Sequence, residues 1–103
     1  MAIHEPGVYA GMDEAAINEQ VSRQGHTARK VEEPPGAVYD NHKNAHDLVL
    51  AFVRGSAEIR IGEETFHVAG GDRLNIPGDQ PHSARVGADG VTYYMTQVVN
   101  EGS

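Results

Sequence analysis

Two histidines, His42 and His82, are the residues whose type and placement point most directly to chemistry. A neutral imidazole binds divalent metals through nitrogen and titrates near neutral pH, so it also serves as a general acid or base. Each stands at one end of a segment with strand-like alternation. His82 shares parity with the apolar Ala84 and Val86, so it should point inward at a rim. Two imidazoles converging in a semi-buried mouth can hold a metal ion or position a small substrate. Other chemistries lack their residues. The chain has no cysteine, which excludes thiolate metal sites and disulfides. There is no G-x-S-x-G, and Gly70-Gly71-Asp72 is a turn too short to cradle a phosphate.

The surroundings of such a mouth follow from the totals. A chain of 103 residues fits one domain with one core. Eight Lys and Arg against fifteen Asp and Glu give a net charge of −7. That surface repels phosphate backbones, so nucleic acid is not expected as a partner. No apolar run approaches the ~20 residues that span a bilayer, so no membrane partner is expected either. The start of the chain lacks a basic region followed by an apolar run. With no cysteine to oxidise, these features predict a cytoplasmic protein.

The elements that would position the histidines are mostly strands. Residues 1–11 read as an irregular lead-in. Asp13 can cap a short helix running to Gln24, with Gly25 able to end it. Met12, Ala16, Ile17 and Val21 give that helix one narrow apolar stripe, suited to the outside of a barrel. Beyond it the spacing predicts strands over 27–32, 36–42, 47–54, 56–62, 64–69, 72–77, 82–87 and 91–99, separated by glycine and proline turns. The chain thus divides into a lead-in with a helix, 1–25, and an all-β barrel, 26–100. Ala57, Ile59 and Ile61 form a buried row opposite Glu58 and Arg60. Leu74 and Ile76 oppose Arg73 and Asn75, which should be wet, and His67 should be exposed. Residues 48–53 are apolar on both rows, so both faces need cover.

These residues resemble the cupin superfamily. The second cupin motif is matched by the run from Gly71 through Pro77 to His82, with Asp79 at the place of a second glycine and Val86 at that of an asparagine. The first is matched by Gly36, His42 and the closing Gly55. There Asn44 stands at the second histidine and Leu48 at the glutamate. The resemblance spans about 26–99 and implies an all-β cupin jelly-roll barrel with a short N-terminal helix.

Cupin sites usually combine three histidines and a glutamate around Fe, Mn, Ni, Cu or Zn. Carried over here, they give His42 and His82, with His46 able to swing in as a third ligand. The alternative is a metal-free pocket in which the histidines bond to backbone. No organic cofactor is implied. Asp40, Asn44, Leu48, Tyr39 and Tyr93 are the further pocket candidates, Asp40 as an acceptor for an imidazole N–H. At least one of Tyr93 and Tyr94 must face inward. Two functions stay open: a small-molecule binding module, and a metal-dependent enzyme of dioxygenase or isomerase type. The outward row of Val49, Ala51 and Val53 predicts a homodimer seam, with the helix, through Ile17 and Val21, as the rival cover.

Overall fold

The computed structural model describes residues 3–23, 28–43 and 45–98, without the side chains of Asn41 and His42. Its elements are β1 (His4–Glu5), α1 (Glu14–Ser22), β2 (Arg29–Glu33), β3 (Val38–His42), β4 (Asp47–Ile61), β5 (Glu64–Ala69), β6 (Arg73–Ile76) and β7 (His82–Val98). Two of them are longer than the sequence suggests. The segments expected over 47–54 and 56–62 form one strand, β4, and those over 82–87 and 91–99 form β7. Both strands bend instead of stopping. The β4–β7 register shifts between Phe52 and Arg54 and again between Gly55 and Ala57, and such bulges turn a strand without breaking it.

The bends fold one antiparallel ladder into two layers. The first layer runs β1-β6-β4-β7-β2. The second is made by the far half of β4 and the near half of β7, flanked by β5 and β3. Between them lies the main core. Leu48, Leu50, Phe52, Leu74 and Ile76 come from the first layer, and Ala57, Ile59, Ile61, Val68 and Val86 from the second. The expected inward rows are therefore correct.

Val49 and Ala51 point away from this core, yet they are 2% and 0% exposed. α1 covers them. Ile17 and Val21 pack with Val49, Ala51, Tyr9 and Tyr94 in a second apolar cluster, with Val53 half-buried beside it. This corrects the expected dimer seam: the row is closed within the chain. Burying side chains as large as Ile17 and Val21 stabilises by about 2 kcal/mol each. The helix needs that help, because a nine-residue helix is not stable alone. Asp13 caps it as expected, accepting the Ala16 N–H at 2.8 Å. The terminator role of Gly25 falls outside the described residues.

The lead-in is more ordered than its sequence indicates. β1 pairs with β6 through His4 and Leu74. Asp72 clamps it there. Its Oδ2 lies 3.0 Å from His4 Nε2, and its Oδ1 accepts the Gly7 N–H at 2.9 Å. Burial opposes ionisation of Asp72, but the His4 bond and the Gly7 and Ala69 backbone bonds outweigh it and hold the carboxyl below its usual range. Arg73 and Asn75 are consequently not wet. Asn75 donates to Glu5 Oε2 at 2.7 Å, and Arg73 Nε lies 3.4 Å from the same oxygen with only 16% of its side chain exposed.

Glu14, in the first turn of α1, ties the helix to the sheet. Its carboxylate receives Lys30 Nζ at 2.8 Å, the Tyr94 hydroxyl at 2.7 Å and, more distantly, Arg54. The Lys30 and Tyr94 bonds draw its pKa down to about 2.

Two measurements check this packing. Val49→Lys should cost at least about 3 kcal/mol, since it buries an unpaired charge under α1. A variant with wild-type thermal stability would show that the helix does not cover this row. Glu14 has a folded pKa below its ordinary value, so its contribution is present above about 4.5 and fades as pH falls toward about 2. The wild type should therefore melt above Glu14→Gln at neutral pH, with the gap closing through that window. A gap independent of pH would remove the ion-pair account.

Candidate functional site

β2 is one edge of the first layer and β3 one edge of the second, and both pair with β7. Register decides what faces the barrel interior. On β2, Arg29 pairs with Met95, Val31 with Tyr93 and Glu33 with Val91. All three partners contribute to the main core, and opposite residues in an antiparallel pair share a face. Arg29, Val31 and Glu33 therefore form a row directed at the barrel interior. Lys30 and Glu32 occupy the outer face, which agrees with the bond from Lys30 to Glu14. On β3, Tyr39 pairs with Ala84, which packs against the core, and both also reach the groove that Asp40 borders.

Tyr93 is the central aromatic of this region. Its half-buried ring leans on Phe52, with centroids 5.3 Å apart and planes at 46°. Burial, reinforced by the charge of Glu33, pushes its phenol up to about 12. The hydroxyl thus stays protonated at any physiological pH and can both donate and accept. The Tyr39 hydroxyl donates to the Glu33 carboxylate across the Pro34-Pro35-Gly36 connection, which raises the Tyr39 pKa. This bond joins the edge strands β2 and β3.

His82 is inward, as expected, and only 6% exposed. It pairs with Ile61 on one side and His42 on the other. Its Nδ1 lies 3.4 Å from the Gln80 carbonyl. The structure thus places His42 and His82 opposite one another in the ladder, though the His42 side chain and all of Asn44 fall outside the described residues. Leu48, where the cupin resemblance expects a glutamate, is 4% exposed and belongs to the main core. His46 is exposed on the connection into β4. Among the described residues no group of three His, Asp or Glu side chains could hold a metal ion. The described donors do not fit a metal centre by themselves. Asp40 is exposed and borders a groove on the outer face of the second layer, not the barrel interior. Tyr94 turns outward to Glu14.

The β2 row was not assigned from sequence. Its one signal there is a single apolar residue, Val31, between two charged residues of the same parity. Alternation that weak does not say which row turns inward.

Two antiparallel layers sharing two long bent strands, with a histidine and a tyrosine facing the space between them, define a cupin barrel. Residues 25–101 match the family model of the AraC-like ligand binding domain, and the chain belongs to that family. Solved structures agree on the fold. A conserved protein of unknown function from Streptococcus pyogenes, SPY1581, is 25% identical, with a TM-score of 0.64 over 73% of this chain and 65% of that one. The Cnp3 cupin domain of Schizosaccharomyces pombe is 21% identical, with a TM-score of 0.66 over 71% and 55%. The DMSP lyase DddQ of Ruegeria pomeroyi is 21% identical, with a TM-score of 0.65 over 74% and 39%. The chain thus spans less than two-thirds of each. No curated protein matches the sequence. No helix among the described residues is long and apolar enough to cross a membrane.

Spectrophotometric titration checks the buried phenol. Tyrosinate absorbance of the folded wild type should include a step at about 12 that Tyr93→Phe removes. An unchanged curve in the variant would place that hydroxyl in water.

Proposed function

We propose that this chain binds a small organic molecule between its two layers, entering by the side that β2 and β3 border. One observation carries the reading. The barrel interior is apolar, yet its inward rows include polar groups of different kinds, Arg29 and Glu33 from β2 and Tyr93 from β7, with the Tyr39 hydroxyl of β3 bonded to Glu33. Apolar walls with a few placed polar groups are what ligand sites look like. Phe52 and Met95 give the ligand an apolar floor. The Tyr93 hydroxyl and the Glu33 carboxylate take its hydrogen-bond donors, and Arg29 takes an acceptor or anionic group. The family description supports ligand binding, and the cysteine-free composition supports a cytoplasmic setting.

A second reading has one observation in its favour. His42 and His82 are direct ladder partners, so a metal-dependent enzyme of dioxygenase or isomerase type would draw on His42, His82 and His46. Zinc, nickel, iron, manganese or copper would suit imidazole ligands.

The experiment separates the two. Tag-free protein is screened by thermal shift against sugars, organic acids and amino acids, and its metal content is measured. Binding that Tyr93→Ala and Glu33→Gln each weaken by about tenfold or more supports the first reading. Hits that survive both substitutions, or no hits, reject it. Near-stoichiometric metal lost in His82→Ala supports the second. Leu48→Glu adds a check on metal. With a cation present it should tighten metal binding, and without one it should destabilise by about 3 kcal/mol or more.

A further inference from the structure

The inward row of β2 carries two charges of opposite sign, and one of them is already engaged. Glu33 accepts the Tyr39 hydroxyl. Arg29 makes no ion pair and no hydrogen bond among the described residues. The nearby carboxylates are accounted for. Glu33 stands four residues away, about 13 Å along the strand. Glu32 turns to the outer face, where it and Glu14 lie 3.7 and 2.8 Å from Lys30 Nζ. The uncommitted charge of this row is therefore a cation.

The surface beside Arg29 is apolar. Arg29 pairs with Met95, and Tyr93 stands diagonally across the ladder, opposite Val31. Diagonal neighbours lie about 7–8 Å apart, within reach of long and aromatic side chains. Tyr93 feels the guanidinium: burial and the charge of Glu33 raise its phenol, and Arg29 opposes them. Tyr93 and Met95 pack against the main core yet are only partly buried, as is Val31. Apolar surface left in contact with water gains free energy when a ligand covers it. Arg29 is exposed and Val31 half-buried, so the charge stands at the wet end of the row and the apolar surface lies further in.

These features select the ligand. A guanidinium binds a carboxylate through two parallel N–H···O bonds, and one cation balances one negative charge. A phosphate or a dicarboxylate would bring a second negative charge to a chain whose net charge is −7, with Glu33 on the same row.

We propose that the interior site takes a monocarboxylic acid with a compact apolar body, a refinement that rests on the reading that ligand binds between the layers. The carboxylate lies on Arg29, and the body lies on Val31, Met95 and the Tyr93 ring.

The test is an amide NMR titration of the isotopically labelled chain with three probes. Benzoate has both features, benzamide is its neutral isostere, and acetate keeps the charge without the body. Benzoate should shift Arg29, Val31, Tyr93 and Met95, and each of the other two should bind at least about tenfold more weakly. Arg29→Gln should make benzoate and benzamide equal, whereas Arg29→Lys should keep part of the preference. Arg29 is exposed, so an unchanged melting temperature confirms an intact fold. Equal shifts of the same interior residues by benzoate and benzamide would overturn the carboxylate and leave the interior reading standing. A preference for benzoate that survives Arg29→Gln would do the same. Acetate binding as well as benzoate would overturn the apolar body. Benzoate shifts confined to other parts of the chain, or none up to about 50 mM, would overturn the inference, while the interior reading would still be decided by its own ligand screen.

Discussion

β4 and β7 change layers side by side, and they can do so because of a contact that only glycine permits. At Gly55 the backbone has φ +81°, and a Cβ there would lie 2.0 Å from the Gly90 carbonyl oxygen and 2.8 Å from Val91 Cα. Gly90 also has positive φ, at +76°. L side chains rarely adopt such values. The two bends therefore nest against each other. Gly70 completes the crossing, its N–H donating to the Gly55 carbonyl at 3.1 Å. Were the strands straight, Ala57, Ile59 and Ile61 would extend the first layer instead of facing it. No interior would then exist for Tyr93 or His82 to face.

The outer latch and the inner site are linked through strand parity. A strand shifted by one residue turns its whole inward row outward. Lys30 is held on the outside by Glu14, which in turn is held by the position of α1 over Val49 and Ala51. With Lys30 outside, Arg29, Val31 and Glu33 must turn in. The N-terminal helix thus helps set which β2 residues a ligand would meet, although it never approaches the barrel interior itself.

Much of this was legible from residue order, and the exceptions share a cause. The inward rows, the Asp13 cap and the inward His82 all depend on local periodicity, which sequence records directly. The doubled alternation of 48–53 announced a second buried face as well. What covers that face is a non-local matter. A stripe of Ile17 and Val21 is short enough to suit either a solvent-side helix or a lid, and nothing local chooses. Arg73 and Asn75 carry the signature of a wet row and are half-buried because Glu5, some seventy positions away, reaches them. β1 has two residues and no pattern to show. The joined strands escaped notice because glycine reads as an end, while at Gly55 it makes a bend.

Leu48 is plain core at a position where the cupin resemblance expects a glutamate. It packs with Leu50, Phe52 and Ile76. β4 is hydrogen-bonded on both sides, so a group mounted there is rigid. The polar groups of the proposed site sit mainly on β2 and β3, which each pair on one side among the described residues. Edge strands lose fewer ladder bonds when they move, and their local opening costs less than that of a central strand. Replacing Arg29, Glu33 or Tyr39 leaves the Gly55–Gly90 crossing and the packed rows untouched. With the ligand bound as proposed, such an arrangement would let ligand preference change at the edges while the barrel that presents those edges stays the same.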